Sequence, residues 1–470
     1  MRQLLPGLLA ALAALLVSAA PQATAQQVTA TPPHSGVVCT TSASGSFELT
    51  ATIGSALMSD GNAIFMWGYA PGAPGADGQN RDAFDRFQYP GPVLCVEQGQ
   101  TVTITLHNML LESTSLIFPG QADVLAGGQP SQPQPQPQLG VAGAVTSLAQ
   151  TAGAATTLGV AGGTQSYSFV AGQPGTYLYQ SGTNPGVQVQ MGLFGVIIVR
   201  PSNPGFGYSF NPAVDHEGQV AYSYNRADSS YNPAHEHIEL LSEIDPFMHQ
   251  AYESYVTNGG TGAYPPFDMQ SYQARCFLIN GRTFPDTMAD NGAPWLPNQP
   301  YSALVHIYPY DAATNPNPAL VRYVGVGTQD FPFHPHGNHS RVIGRDGQPV
   351  VDANGADLSY DKFSVPVGPG QTWDVTFDWR NIDGYSPSSP IPVTVPQQQN
   401  LTVGPYWSGS PYLGNAGPLP PGGENYSQCG EYYHIAHNHA LQQMTSWGGI
   451  TLSGQAAYTR IDPPLPNSCP

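Results

Sequence analysis

The sequence predicts an all-β protein built from two similar domains, and three observations predict it. Glycine and proline are abundant, 53 and 47 among 470 residues, and both punctuate strands and exclude long helices. Short runs of Val, Thr, Tyr and Phe recur between those breakers, with the alternation of half-buried strands, as in "VTITLHN" (102 to 108). The same closing pattern occurs twice: a strand-like run, a glycine turn and a last apolar strand, first in "GTYLYQSGTNPGVQVQMGLFGVIIVRP" (175 to 201) and again in "YYHIAHNHALQQMTSWGGITL" (432 to 452).

Taken in chain order, "MRQLLPGLLAALAALLVSAAPQATAQQ" pairs one arginine with an apolar run and then small residues at Ala23 and Ala25. This is the layout of a secretory signal peptide over residues 1 to 25, with a mature start near Gln26. The first domain is expected over 46 to 201. Within it, 127 to 163 carries a Gln-Pro repeat and a Gly/Ala-rich run, which predicts a low-complexity insertion with no core of its own. A linker with a strand and a short helix is expected over 202 to 272. The second domain is expected over 273 to 455, opening at "CFLINGRTFPD", and a tail over 456 to 470.

Thirty-one acidic residues against thirteen basic ones, with Lys362 the sole lysine, give a formal net charge of −18. Such a chain repels phosphate backbones, so nucleic acid and anionic membranes are excluded as partners and cations favoured. No stretch after the leader approaches the roughly 20 apolar residues that span a bilayer, so no membrane insertion is expected. The product is expected to be secreted, to the periplasm or the exterior. There, five cysteines (Cys39, Cys95, Cys276, Cys429, Cys469) would give two disulfides and one leftover thiol, in a pairing the sequence leaves open. Asn338, Asn400 and Asn425 fit the Asn-X-Ser/Thr acceptor pattern.

The stretch "FPFHPHGNHSRVIGRDG" (331 to 347) holds three of the thirteen histidines within six positions. On a strand, residues two apart share a face, so His334 and His336 point the same way. Pro335 lacks an amide hydrogen and favours a strand end or edge. A second pair, His437 and His439, stands near the end of the same domain. Two such pairs can supply four imidazoles to one or two metal ions, with His339 and His434 as further candidates. The competing reading is a hydrogen-bonded structural cluster. His235 and His237 have ligand-like spacing too, but fit a polar linker strand better.

The order of "GPVLCVEQGQTVTITLHNMLLESTSLIFPG", "GTYLYQSG", "QMGLFGVIIVRP", "FPFHPHGNHSRVIGRDG" and "HNHALQQM" resembles the multicopper oxidase family over nearly all of the chain outside the insertion. The resemblance implies two cupredoxin-like Greek-key barrel or sandwich domains, and a copper cluster held by four His-X-His pairs. Two of those pairs fall on His334 with His336 and on His437 with His439. The first-domain pairs are lost: Ile117 and Pro119 stand at one, Gln180 and Gly182 at the other. The blue copper positions fall on Asn438, Phe331 and Gln443, so the thiolate is missing; a shifted register would offer only His439 with Met444.

The resemblance therefore implies a secreted copper-binding protein, with copper favoured over zinc. Oxidoreductase activity would be confined to a histidine-only type 2 or binuclear site. The alternative is a non-catalytic copper-binding, storage or extracellular structural protein. Homo-oligomerisation could complete a larger cluster only if a neighbouring chain lent histidines, the spare ones being His235, His237, His249 and His306.

Overall fold

The structure is a computed structural model and describes residues 34–75, 86–135, 144–208, 219–379, 432–446 and 452–462, with the backbone of a two-residue strand at 27–28. It is built from two β-sandwiches, in agreement with the all-β expectation. In the first, β1 (Ser46–Leu57), β2 (Ala63–Pro71), β4 (Thr101–Asn108) and β5 (Thr164–Val170) form one sheet in the order β2-β1-β4-β5. The facing sheet contains β3 (Val93–Glu97), β7 (Phe194–Arg200) and β6 (Gly175–Gln180) in the order β3-β7-β6. Alternation makes the sandwich. In β4, Val102, Ile104 and Leu106 are buried while Thr101, Thr103 and Thr105 face outward, so one face joins the core with Phe47, Leu49 and Ile197.

The second sandwich repeats the plan. One sheet holds β9 (Cys276–Ile279), β8 (Glu236–Ile244), β11 (Ala319–Gly325), β15 (Thr372–Phe377) and β13 (Ser340–Arg345) in that order. The other holds β10 (Val305–Ile307), β17 (Ala456–Ile461), β16 (Tyr432–Asn438), β12 (Phe331–Pro335) and β14 (Val365–Val367). The repeat extends to strand direction. The opening strand lies parallel to a middle strand in each sandwich, β1 with β4 and β8 with β11. The last strand lies parallel to an earlier one, β7 with β3 and β17 with β10.

Two strands fall outside the expected domain boundaries. Glu236–Ile244 is not a linker strand. It is buried along its whole length and pairs with both β9 and β11, because its outward Ile238, Leu240 and Ile244 close the contact between the sandwiches while Leu241 enters the second core. Ala456–Ile461 is not tail. Its Ala457 and Ile461 fill the second core and it pairs with β16. In the insertion, Ala149 and Ala152 join the first core and Ser147 bonds Thr183 at 2.8 Å, so small residues dock that segment on the domain.

Asp245 caps the helix α1 (Pro246–Thr257) by accepting from Phe247 N at 3.0 Å, and Pro246 at the first position suits that start. Met248, Tyr252 and Val256 recur at helical spacing and bury against the first core. Cys39 and Cys95 form a disulfide, and Cys276 is buried in β9; Cys429 and Cys469 lie outside the described residues.

Where the sandwiches meet, the carboxylate of Glu236 takes Arg200 at 2.9 Å and Arg322 at 2.8 Å, and Arg322 continues to Asp374 at 3.2 Å. Thr176 of the first domain donates to Asp374 at 2.6 Å. Burial alone would push the Glu236 carboxyl up, but the two guanidiniums overcome it and hold it down to about 2. The sign follows: a lowered native value gives stability that is whole above the unfolded value near 4.3 and is lost as pH falls through about 2. Glu236→Gln leaves two buried cations short of charge and should cost about 3 to 5 kcal/mol in urea unfolding at pH 7. The deficit should shrink below about pH 4; an equal deficit at pH 7 and pH 3 would contradict the charge account.

Candidate metal centre

Strands β12 and β16 run antiparallel with Phe333 opposite Asn438, His334 opposite His437 and Pro335 opposite Ala436. Alternation sorts these residues onto two faces. Phe331, Phe333 and Ala436 point into the second core, so His334, His336 and His437 share the outer face of the sheet. The rings meet there. His334 lies 4.6 Å from His336, 5.7 Å from His437 and 5.3 Å from His439 between ring centroids, and His336 lies 5.1 Å from His437. Phe363, 61% exposed, rims the cluster, its ring 5.6 Å from that of His334.

The sharpest contact is between His336 Nε2 and His437 Nε2, 3.0 Å apart. Either one ring carries a proton for the other, or both lone pairs face one ion. Two nitrogens each about 2.0 Å from an ion at a right angle stand about 2.9 Å apart, so the pair has the bite of neighbouring metal ligands. Backbone carbonyls select the exposed nitrogen elsewhere in the cluster. His437 Nδ1 donates to Asn438 O at 2.9 Å and His334 Nδ1 donates to Phe363 O, which leaves Nε2 of both rings as the lone-pair atom. Burial, and then the neighbouring rings, lower His336 and His437 below the ordinary imidazole value, favouring the neutral ligand form. Among the described residues, no three His, Cys, Asp or Glu side chains converge as a ready metal cage. The donor set fits a metal by chemistry and by one bite, and His334 and His439 stand beside it.

The further candidates separate from the four. His434 lies on the other face, its ring 4.7 Å from Trp379, and burial pushes it down to about 4. His339 follows Gly337, whose φ of +85° turns the chain, and is exposed beyond the cluster. Asn338 is engaged in that turn, its amide donating to Asp378 O at 3.2 Å.

The blue copper positions do not fit copper. Asn438 Nδ2 donates to Gln443 and to Gln455 Oε1, the latter at 2.7 Å; Gln443 Nε2 donates to Gln329 Oε1 at 2.8 Å; and Gln455 Nε2 donates to Ser242 O and Leu278 O, both at 3.1 Å. Phe331 is fully buried in the core. Amides that satisfy one another occupy the place of thiolate and imidazole. Gln329 and Gln455 escaped the sequence reading, because nothing in single glutamines beside strands marks them as partners.

The first-domain positions that the resemblance assigns to histidine pairs hold no histidine. Ile117 forms a β-bridge with Gln180, the counterpart of the His334 and His437 pairing in the second domain. A Cβ placed on Gly182 would lie 2.6 Å from Ile117 Cγ2, so a larger side chain there requires movement. Nor can the spare histidines serve a neighbouring chain as they stand. His235, His237 and His249 are buried, and His306 Nε2 is held by Asp462 at 2.7 Å. His237 Nε2 contacts His306 O at 3.0 Å, and His249 sits between the carbonyls of Phe65 and Gln190.

No protein-family profile matches the chain, and no curated protein matches it. Solved structures do, and they are multicopper oxidases and related copper proteins. The chain is similar to the multicopper oxidase mgLAC, 17% identical over 89% of this chain and 85% of that one, with a TM-score of 0.49. It is similar to the blue copper oxidase from Nitrosomonas europaea, 16% identical with the same coverage and TM-score 0.49. It is also similar to the copper nitrite reductase from Nitrosomonas europaea, 15% identical over 91% of this chain and 95% of that one, with TM-score 0.44. At such identities the likeness concerns the fold, and the chemistry must be read from this chain's own residues.

Asn438→Cys should give no intense blue thiolate band on copper loading, because it restores one ligand of three and leaves Phe331 and Gln443 in place. It should also cost about 1 to 3 kcal/mol in thermal or urea unfolding, since Gln455 and Gln443 lose buried partners. An intense blue colour in that single variant would show that an imidazole pair already flanks position 438.

Proposed function

We propose that this is an exported copper-binding protein that holds one Cu(II) ion on the outer face of its second sandwich, through His336 and His437 with His334 and His439 beside them. The observation that carries this is the 3.0 Å approach of two Nε2 atoms. Zinc would accept the same nitrogens, but a shallow two-to-four-imidazole site with open positions suits Cu(II) better. Export is supported by the leader-like opening stretch and by the Cys39–Cys95 disulfide, which belongs to an oxidising compartment. No described helix is long and apolar enough to cross a membrane.

Bound copper would supply one-electron redox chemistry at this face. The chain's part is to hold it: the Asn438 and Phe363 carbonyls fix ring orientation, and the strand pairing fixes ring spacing. Oxidoreductase activity is the second reading, favoured by the exposure of His336 and His439, which leaves a reductant direct access to the ion. It would be limited to single-electron steps at one metal, because the amide network takes the place of the blue centre and Ile117 and Gln180 take the place of first-domain ligands.

His336→Ala or His437→Ala should weaken Cu(II) binding about a hundredfold or more in competition titrations while leaving the unfolding midpoint nearly unchanged; outer-shell changes alone cost 10–100-fold. His339→Ala should change affinity less than about threefold, since its ring stands outside the cluster. Nitrogen hyperfine structure in copper paramagnetic resonance should simplify in the first two variants only. Parental affinity in both would place the copper elsewhere. Turnover of a one-electron reductant by the copper-loaded parent, lost in His336→Ala, selects the enzymatic reading; tight binding without turnover selects the binding one.

A further inference from the structure

Beneath the helix α1, far along the chain from the histidine cluster, a carboxyl group is sealed in with no cation beside it. Glu112 is 8% exposed, and Oε1 and Oε2 have no solvent contact and no partner at close hydrogen-bond distance, the Tyr264 hydroxyl and Gln188 amide facing them as longer, weaker donors. Its position is fixed by its neighbours. Asn108 Nδ2 donates to the Glu112 carbonyl at 2.7 Å, and Gln188 Nε2 donates to the next carbonyl, of Ser113, at 2.9 Å. The groups facing the carboxyl come from three further elements: Tyr252 and Tyr255 from α1, Tyr264 from the loop after it, and the neutral Gln188 amide from the first domain. The Tyr252 and Tyr264 hydroxyls are themselves buried, with no partner at close hydrogen-bond distance. Among the described residues no cation is paired with Glu112.

With no cation beside it, a bare carboxylate so deeply buried is far costlier than a neutral acid, although the two phenol hydroxyls can donate to either form. A protonated carboxyl removes that charge and keeps both contacts: its hydroxyl can donate to one phenol, and its carbonyl can accept from the other. We propose that Glu112 is a proton-operated latch: its protonated form lets α1 lie closed on the first domain, and loss of the proton puts an uncompensated charge under the helix and loosens it. Burial pushes the carboxyl up to about 7, with Tyr264 and Gln188 opposing only in part, so the latch works near neutral pH. The sign is that of a raised acid. Between the unfolded value near 4.3 and about 7 the closed state keeps a proton that the unfolded chain has lost, and stability falls as pH rises through that window. Above it the closed helix carries the charge unless it opens.

Opening of α1 is read by amide hydrogen exchange of the full chain at pH 6, 7 and 8, corrected for intrinsic rates. The opening equilibrium of the helix amides should grow severalfold from pH 6 to 7 and level off toward pH 8, where closed and open states are both ionised, and Glu112→Gln should remove that dependence. A pH-independent helix in the parent overturns the proposal. So does an unchanged pH response in Glu112→Gln, which would move the effect to another buried acid such as Glu243 or Glu239. Should Glu112→Gln fail to fold, the parent's own Glu112 side-chain carbonyl resonance decides: a midpoint near 7 supports the latch, and one near 4.3 overturns it. Exchange suppressed saturably by sodium or calcium chloride at pH 8, and not by an isosmotic sugar, would assign the enclosure to a metal cation and overturn the proton.

Discussion

The pairing of β12 with β16 is the constraint on which the rest of the candidate site depends. With His334 opposite His437, a two-residue period sends imidazoles outward and Phe331, Phe333, Ala436 and Asn438 inward. One set of backbone hydrogen bonds therefore builds two environments at once, an exposed field of ring nitrogens and a sealed seam of aromatic and amide side chains. A slip of one residue would exchange them, burying imidazoles in the second core and exposing phenylalanines. The inward residues enforce the register more strongly than the histidines do, because they carry the hydrophobic burial of that sandwich. The site is thus held in place by side chains that never touch it.

Much of this was legible in the sequence. Period-two patterns around 102 to 106 and the spacing of His334, His336, His437 and His439 follow from strand geometry alone, and the structure brings those four rings into contact. The two-sandwich plan was legible too, although the strand that closes the second sandwich, Ala456–Ile461, lies past the stretch whose closing pattern suggested it. What escaped were features set by packing between distant segments. Glu236–Ile244 reads as a polar strand, with three glutamates and a histidine, and nothing local says that Arg200 and Arg322 wait for one of those glutamates. The fate of His434 likewise turns on Trp379, fifty-five positions earlier in the chain. Asn438 stood where the resemblance expects a cysteine, but its two amide partners, Gln443 and Gln455, were invisible because a hydrogen-bond network among glutamines has no spacing rule.

The junction between the sandwiches shows how an acidic chain with few cations places them. Of thirteen basic residues, Arg200 and Arg322 are spent at one buried seam, where each guanidinium can satisfy two elements at once. Such a seam adds specificity of docking more than net stability, because desolvating the charges costs nearly what their attraction returns. The apolar contact around Ile198, Ile238, Leu240 and Val324 supplies the adhesion, and the ion pairs supply the angle.

The amide network at Asn438, Gln443 and Gln455 also bears on descent. Each of these side chains is satisfied by another, so a substitution that began to rebuild a metal centre there would first leave a buried amide unmet. Changes at Asn438, Gln443 and Phe331 would all have to accumulate before the ligand set was complete, and the first at either amide would bring only loss. A pocket closed with amides in this way is barred against stepwise conversion into a metal centre, since each step at an amide breaks a buried hydrogen bond that only the completed ligand set replaces.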